Sequence, residues 1–173
     1  STRYEGGVAA DIAVGTKLEA EGSISGGVLT ATKVSFRDAI RLEADVAAVN
    51  VGASTLTLAG LPGVTVSVDS ITEFKGGVAS LAGLAAPNHL RIRGRLGSGN
   101  TVIATELERR STSSDSREIL QAAASQVVPT TSVTLLGIVV NTNTVSDNNF
   151  RDVSDALITR AAFYNAAKVG TVR

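Results

Sequence analysis

The chain has 173 residues with 16 basic and 16 acidic side chains, one histidine, and no cysteine, methionine or tryptophan. Thiol chemistry, disulfides and cysteine-ligated metals are therefore excluded, and zero formal net charge is a poor fit to nonspecific binding of nucleic acid or anionic membrane. No apolar run approaches the ~20 residues of a membrane-spanning helix, and two tyrosines and four phenylalanines leave little for stacking on bases or sugars. The apolar content is carried by Ala, Val, Leu and Ile and punctuated by 17 glycines, the composition of a folded chain. The sequence starts at Ser1 without Met or a basic-plus-apolar leader, which reads as a mature secreted or surface chain or as a fragment. Absence of both Met and Cys fits an exposed, oxidising setting.

In chain order, residues 1–37 carry a short helical piece, a strand over 16–22 and a strand over 28–36. Period-two alternation then predicts strands over 41–49, 55–58, 64–68 (reaching Thr72 and Phe74), 90–96 and 101–108. Asn50-Val51-Gly52, Leu61-Pro62-Gly63 and Gly97-Ser98-Gly99-Asn100 supply the turns. An Ala/Leu-rich piece, residues 78–86, separates the third and fourth of these strands, and His89 beside Pro87-Asn88 is read as a surface turn residue. Residues 111–116 have linker composition. Residues 116–128 read as a capped helix by propensity, but register with 42–49 makes them a strand, and propensity is the weaker guide. A helix containing Ala161, Ala162, Phe163 and Ala166, N-capped by Thr159 or Ser154, ends at Gly170.

Internal repeats decide the architecture. Thr2-Arg3-Tyr4-Glu5-Gly6-Gly7-Val8-Ala9 returns as Thr72-Glu73-Phe74-Lys75-Gly76-Gly77-Val78-Ala79, and Leu18-Glu19-Ala20-Glu21-Gly22 as Leu90-Arg91-Ile92-Arg93-Gly94. Leu29 to Val34 returns as Val102 to Leu107. A third copy contains Ser132-Val133-Thr134-Leu135-Leu136-Gly137, matching Thr55-Leu56-Thr57-Leu58-Ala59-Gly60, and Val14-Gly15-Thr16-Lys17 returns as Val169-Gly170-Thr171-Val172. Three strands, a short helix and two strands is the order of an OB-like small barrel. The expected fold class is all-β with short helices, in tandem OB-like barrels.

The order Val-x-x-Val-Asn, Thr-Leu-Thr-Leu, Thr-x-Phe, Leu-x-Ile-x-Gly and Ala-x-x-Leu-Glu resembles the bacterial repeat family catalogued as domain of unknown function 5666. The Phe163-Tyr164 and Val169-Gly170-Thr171-Val172 ending looks like the same family. The resemblance implies tandem small β-barrels in exported or lipid-anchored bacterial proteins, and it implies no catalytic residues.

Residues 38–110 make one complete module, residues 1–37 the latter half of another, and residues 117–173 the complementary first part. Each half alone would expose a sheet edge and an apolar face. The halves can close on each other within one chain, close between chains, or belong to a longer array. Closure between chains, without a closed symmetry, gives a filament. The expected assembly interface is Val14, Thr16, Leu18, Glu19 and Glu21 against Phe163, Val169, Thr171, Val172 and Arg173. Residues 1–37, 38–110 and 111–173 hold four, seven and five charges of each sign, so neighbouring modules meet without net repulsion.

Candidate chemistry is sparse. Arg91, Arg93 and Arg95 alternate on one strand face and could hold an anion or an acidic polysaccharide, or form a solvated face balanced by Glu106 and Glu108. A lone His89 does not make a zinc site. Asp147-Asn148-Asn149, Asp152 and Asp155 are rich in oxygen, but Arg151 interrupts any EF-hand pattern and turn duty explains them. Gly22-Ser23-Ile24-Ser25-Gly26-Gly27 has Ile24 where a nucleophile elbow needs Ser. No P-loop, dinucleotide glycine pattern or acid/base pair occurs, so no cofactor and no metal are expected. The expected function is a non-enzymatic, secreted or cell-surface structural protein whose partners are copies of itself. The alternative is a secreted binding module for an anionic or carbohydrate ligand that uses the three arginines.

Overall fold

The computed structural model describes residues 1–12, 16–111 and 118–169. The chain forms three successive β units. The first is a three-stranded sheet in which β1 (Arg3–Glu5) runs parallel and β2 (Leu18–Ser25) antiparallel to β3 (Val28–Phe36). Gly26 and Gly27, both at positive φ, make the β2–β3 turn. A 3-10 turn at Ala9–Asp11 follows β1.

The second unit is a closed five-stranded barrel made of β4 (Ile40–Asn50), β5 (Thr55–Leu58), β6 (Thr65–Ser67), β8 (His89–Leu96) and β9 (Thr101–Arg110). β4 pairs β5, β5 pairs β6, β6 pairs β9 in parallel, β9 pairs β8, and β8 returns to β4. Numbered within the barrel, this ring is 1-2-3-5-4-1, the OB-like order that the repeat predicts. β7 (Glu73–Lys75) lies parallel to the far end of β9, so the expected continuous reach from the third strand to Phe74 is two strands. The Ala/Leu-rich piece shortens to one 3-10 turn, Leu81–Gly83. Inward positions alternate along each strand: Leu42, Leu56, Val66, Leu90, Ile92, Val102, Ala104 and Leu107 are all but fully buried.

The third unit begins with β10 (Ile119–Gln121) and continues with β11 (Ala124–Val128), β12 (Ser132–Leu135) and β13 (Ile138–Asn141), then α1 (Arg160–Ala166). The stretch 119–128 is extended and not helical, as the repeat requires, but the single strand expected there is two, β10 and β11, interrupted at residues 122–123 and paired in different sheets. β10 lies antiparallel on β4 with Leu120 opposite Leu42, and the three later strands form their own sheet. The Thr159 hydroxyl accepts from the Ala162 amide and caps α1. Arg160 donates to the Thr142 and Val145 carbonyls and stacks over Phe150, tying α1 to the sheet. The linker expected at 111–116 and the helix stop at Gly170 lie, apart from Ser111, outside the described residues.

Candidate functional site

The first and third units repeat the geometry of the closed barrel without closing. In the barrel, β8 and β9 shift register at Arg93/Gly94; β2 and β3 shift at the equivalent Glu21/Gly22. Both sites carry glycine for the same reason: a Cβ on Gly94 would collide with the Ile103 carbonyl, and one on Gly22 with the Thr30 carbonyl. Thr72 Oγ1 donates to the Ala104 carbonyl at 2.7 Å, and Thr2 Oγ1 to the Ala31 carbonyl at 2.8 Å. In the third unit, β11 and β12 shift at Ala124/Gln126, as β4 and β5 do at Val46/Ala48. Each half-unit is therefore already bent for a barrel.

On the hairpin, several positions that are core in the barrel lie open. Leu90 is 0% exposed, while its counterpart Leu18 is 37% exposed. Every residue of β2 is exposed, and Tyr4, Ile24 and Leu29, the counterparts of Phe74, Leu96 and Val102, are exposed as well. In the third unit an apolar groove of about 550 Å³ is walled by Leu120, Ala122, Ala124, Val133 and Leu135 on the sheet side and by Ile158 and Phe163 opposite. By register, Leu120, Ala122, Ala124 and Val133 match Leu42, Ala44, Val46 and Leu56. Among the described residues this unit has no counterpart of β8 and β9, the strands that cover those positions in the closed barrel.

The strand edges are correspondingly unpaired among the described residues. β2 pairs β3 alone, β3 leaves residues 28–32 without a partner strand on its β1 side, and β13 pairs β12 alone. β10 pairs only β4, on the edge of β4 that β8 does not occupy. Leu42 and Leu120, equivalent residues, are register partners there. This local two-fold makes both strands use the same edge, and no strand among the described residues occupies the β8-type edge of β10.

The charges of the hairpin are settled on its outer face. Arg37 Nε donates to Glu19 at 2.8 Å, and Lys33 pairs with Glu21. The hydrogen bond to Glu21 holds the Lys33 ammonium above its ordinary pKa, and the Ser35 hydroxyl holds the Glu5 carboxyl below its own.

Of the expected interface residues, Leu18, Glu19 and Glu21 lie on β2, Thr16 just before it, Phe163 in the groove wall, and Val169 exposed beyond α1. Val14, Thr171, Val172 and Arg173 lie outside the described residues. Sequence reasoning missed the groove floor, Leu120 to Leu135, although its register with Leu42 to Leu58 carried the signal.

The arginine face is neutralised. Arg91 pairs with Glu108, and Arg93 approaches Glu106 at 3.8 Å. Arg95 is 5% exposed, under the Phe36 ring and 3.3 Å from Asp11. His89 corrects the surface-turn expectation: it is 8% exposed, opens β8 and lies 2.8 Å from Asp45. The carboxylates of 147–155 serve turns, Asp147 pairing with Arg160 and Asp152 accepting from the amides of Ser154 and Ala156.

Comparisons with curated proteins and with solved structures return no match. A family profile described as a domain of unknown function, DUF5666, matches residues 1–35 and 45–108. The first block covers the open β1–β3 unit and the second nearly all of the closed barrel, and the chain belongs to the DUF5666 family.

Proposed function

We propose that the protein is a non-enzymatic structural subunit that assembles head to tail, the β2–β3 hairpin of one copy completing the open third unit of the next. One observation carries this reading: the hairpin exposes the residue positions that fill the closed barrel, and the third unit keeps a groove at the positions those residues cover. Strand addition satisfies the open backbone edges while burying apolar surface. Because donor and acceptor are different surfaces of one chain, the contact is heterologous, and its open form is a filament. The first unit meets the barrel at Arg95 and the third at β4, and no strand of the first pairs with a strand of the third among the described residues, which leaves both open edges available to another copy. Absence of Met and Cys suits a polymer at the cell exterior. The anion-binding alternative has little support where Arg91, Arg93 and Arg95 each have a carboxylate partner.

Sedimentation across a concentration series, with electron microscopy of the same samples, tests the proposal. Linear species that lengthen with concentration are expected. A monomer at every concentration overturns it.

A further inference from the structure

We infer that the junction between copies keeps the register of the closed barrel, pair for pair. β2 of one copy runs antiparallel to β10 of the next, with Ala20 opposite Leu120 and Leu18 opposite Ala122. β3 runs parallel to β13, with Val28 beside Val139 and Leu29 beside Val140. The inference rests on the assembly reading above and adds to it a specific set of partners.

The closed barrel supplies the template. There Leu42 faces Ile92 and Ala44 faces Leu90, while Thr65 lies beside Thr101 and Val66 beside Val102. Transferred through the matching bulges, Leu42 and Ala44 become Leu120 and Ala122, and Ile92 and Leu90 become Ala20 and Leu18. The Ala44–Leu90 pair keeps its sizes as Ala122 with Leu18, and the Leu42–Ile92 pair becomes Leu120 with Ala20, so each transferred pair is apolar and holds one leucine. A slip of two residues would set Leu18 against Leu120 and Ala20 against the charged Glu118, and a slip of one would turn the apolar face of β2 outward.

A second observation is independent of the core. Val28 is 66% and Val139 64% exposed, and the transferred register sets them side by side on the outer surface. The closed barrel has Thr65 and Thr101 at those two positions, residues suited to solvent. Valine at both of the junction's positions is what a lateral contact between neighbouring strands selects.

A third concerns β7. In the closed barrel β7 lies on β9. The hairpin brings its own strand for that place, β1 on β3. In the third unit the corresponding stretch forms a 3-10 turn at Asp147–Asn149 and a bridge between Arg151 and Leu157. The donor thus carries the strand that the acceptor does not form there.

The chain has no cysteine, so paired substitutions report the register cleanly. Directly opposed Cα atoms on neighbouring strands are about 4.5–5.5 Å apart, within disulfide reach. Val28→Cys with Val139→Cys, and Glu21→Cys with Ile119→Cys, are the matched pairs; Thr30→Cys with Val139→Cys is the slipped control. Under mild oxidation the matched pairs are expected to give a ladder of covalent multimers on a non-reducing gel, and the control to give at least tenfold less. Fibres that cross-link through the slipped pair, or through neither, overturn the register while leaving assembly standing. Matched pairs that close within a monomer, or material with neither fibres nor cross-links, overturn the assembly reading and the register with it.

Discussion

Leu18 holds on the open hairpin the place that Leu90 holds in the closed barrel, and the one is 37% exposed where the other is 0%. Both are set by the same strand pairing, Leu18 opposite Phe36 and Leu90 opposite Arg109, each four residues before the glycine of the bulge, Gly22 or Gly94. The residue type is the same and the backbone is the same; only the neighbour is missing.

Substituting these two leucines should therefore have opposite consequences. Leu90→Ala removes a fully buried side chain and is expected to destabilise the barrel by about 2–5 kcal/mol. Leu18→Lys places a charge on a face that is open in the single copy, and should leave the barrel's thermal midpoint within about 2 °C, since surface changes are worth roughly ±0.5 kcal/mol. Its effect should appear in assembly, as loss of the concentration-dependent species in sedimentation. A Leu18→Lys protein that polymerises like the parent would remove β2 from the junction.

Arg95 gives a different test. Its guanidinium is buried between units, with Nε and Nη1 unpartnered and one carboxylate, Asp11, within 3.3 Å. A buried charge of this kind contributes little net stability, but it becomes costly when its counter-charge is removed. Arg95→Met is expected to stay within about 1 kcal/mol of the parent, whereas Asp11→Asn should weaken the docking of the first unit by about 1–3 kcal/mol. Hydrogen exchange of β1–β3 amides would show this, with faster exchange in Asp11→Asn only. Equal protection in both variants would mean that the pair does not hold the units together.

How far the sequence reached depended on whether a contact was repeated or unique. The barrel order, the extended rather than helical backbone of β10 and β11, and the open halves all followed from repeated blocks, because a repeat carries the memory of partners that each copy meets. His89 and Arg95 did not. His89 stands next to Pro87-Asn88, yet its partner Asp45 is 44 positions away on β4. Arg95 alternates with Arg91 and Arg93, but Phe36 and Asp11 of another unit roof it over. Neither contact has a counterpart elsewhere in the chain from which to infer it. The groove floor lay between these cases: the repeat made Leu120, Ala122 and Ala124 strand residues against their helical propensity, but the expected interface was drawn from the two ends of the chain and left them out.

Acid should loosen the barrel from two carboxylates on its surface. For Glu43, burial raises the pKa and is the largest single influence, but the hydrogen bond and charge of Arg41, with His89, outweigh it and leave the value below the ordinary 4.5. For Glu108 burial is again opposed, here by Arg110 and Arg91, with the same result. A carboxyl with a depressed folded-state pKa stabilises above its unfolded value, and that contribution is lost as pH falls through the folded value. The thermal midpoint should therefore be level from pH 7 to about 5 and fall below about 4.5. Glu43→Gln combined with Glu108→Gln should flatten that fall; a double variant as acid-sensitive as the parent would place the lability elsewhere.

Salt separates an apolar junction from an ionic one. Glu19 and Glu21 are neutralised by Arg37 and Lys33 of the same unit. In the transferred register they would stand opposite Gln121 and Ile119, with no charge across the junction. Exposed ion pairs are worth about 0–1 kcal/mol and fade with ionic strength, whereas salts such as ammonium sulfate strengthen apolar burial. Assembly should thus be unchanged, within about twofold in midpoint concentration, between 50 mM and 500 mM NaCl, and promoted by ammonium sulfate at equal ionic strength. Light scattering against protein concentration in each buffer measures this. Dissolution of the polymer by NaCl alone would show that charge pairs, and not the leucines and valines of β2 and β3, join one copy to the next.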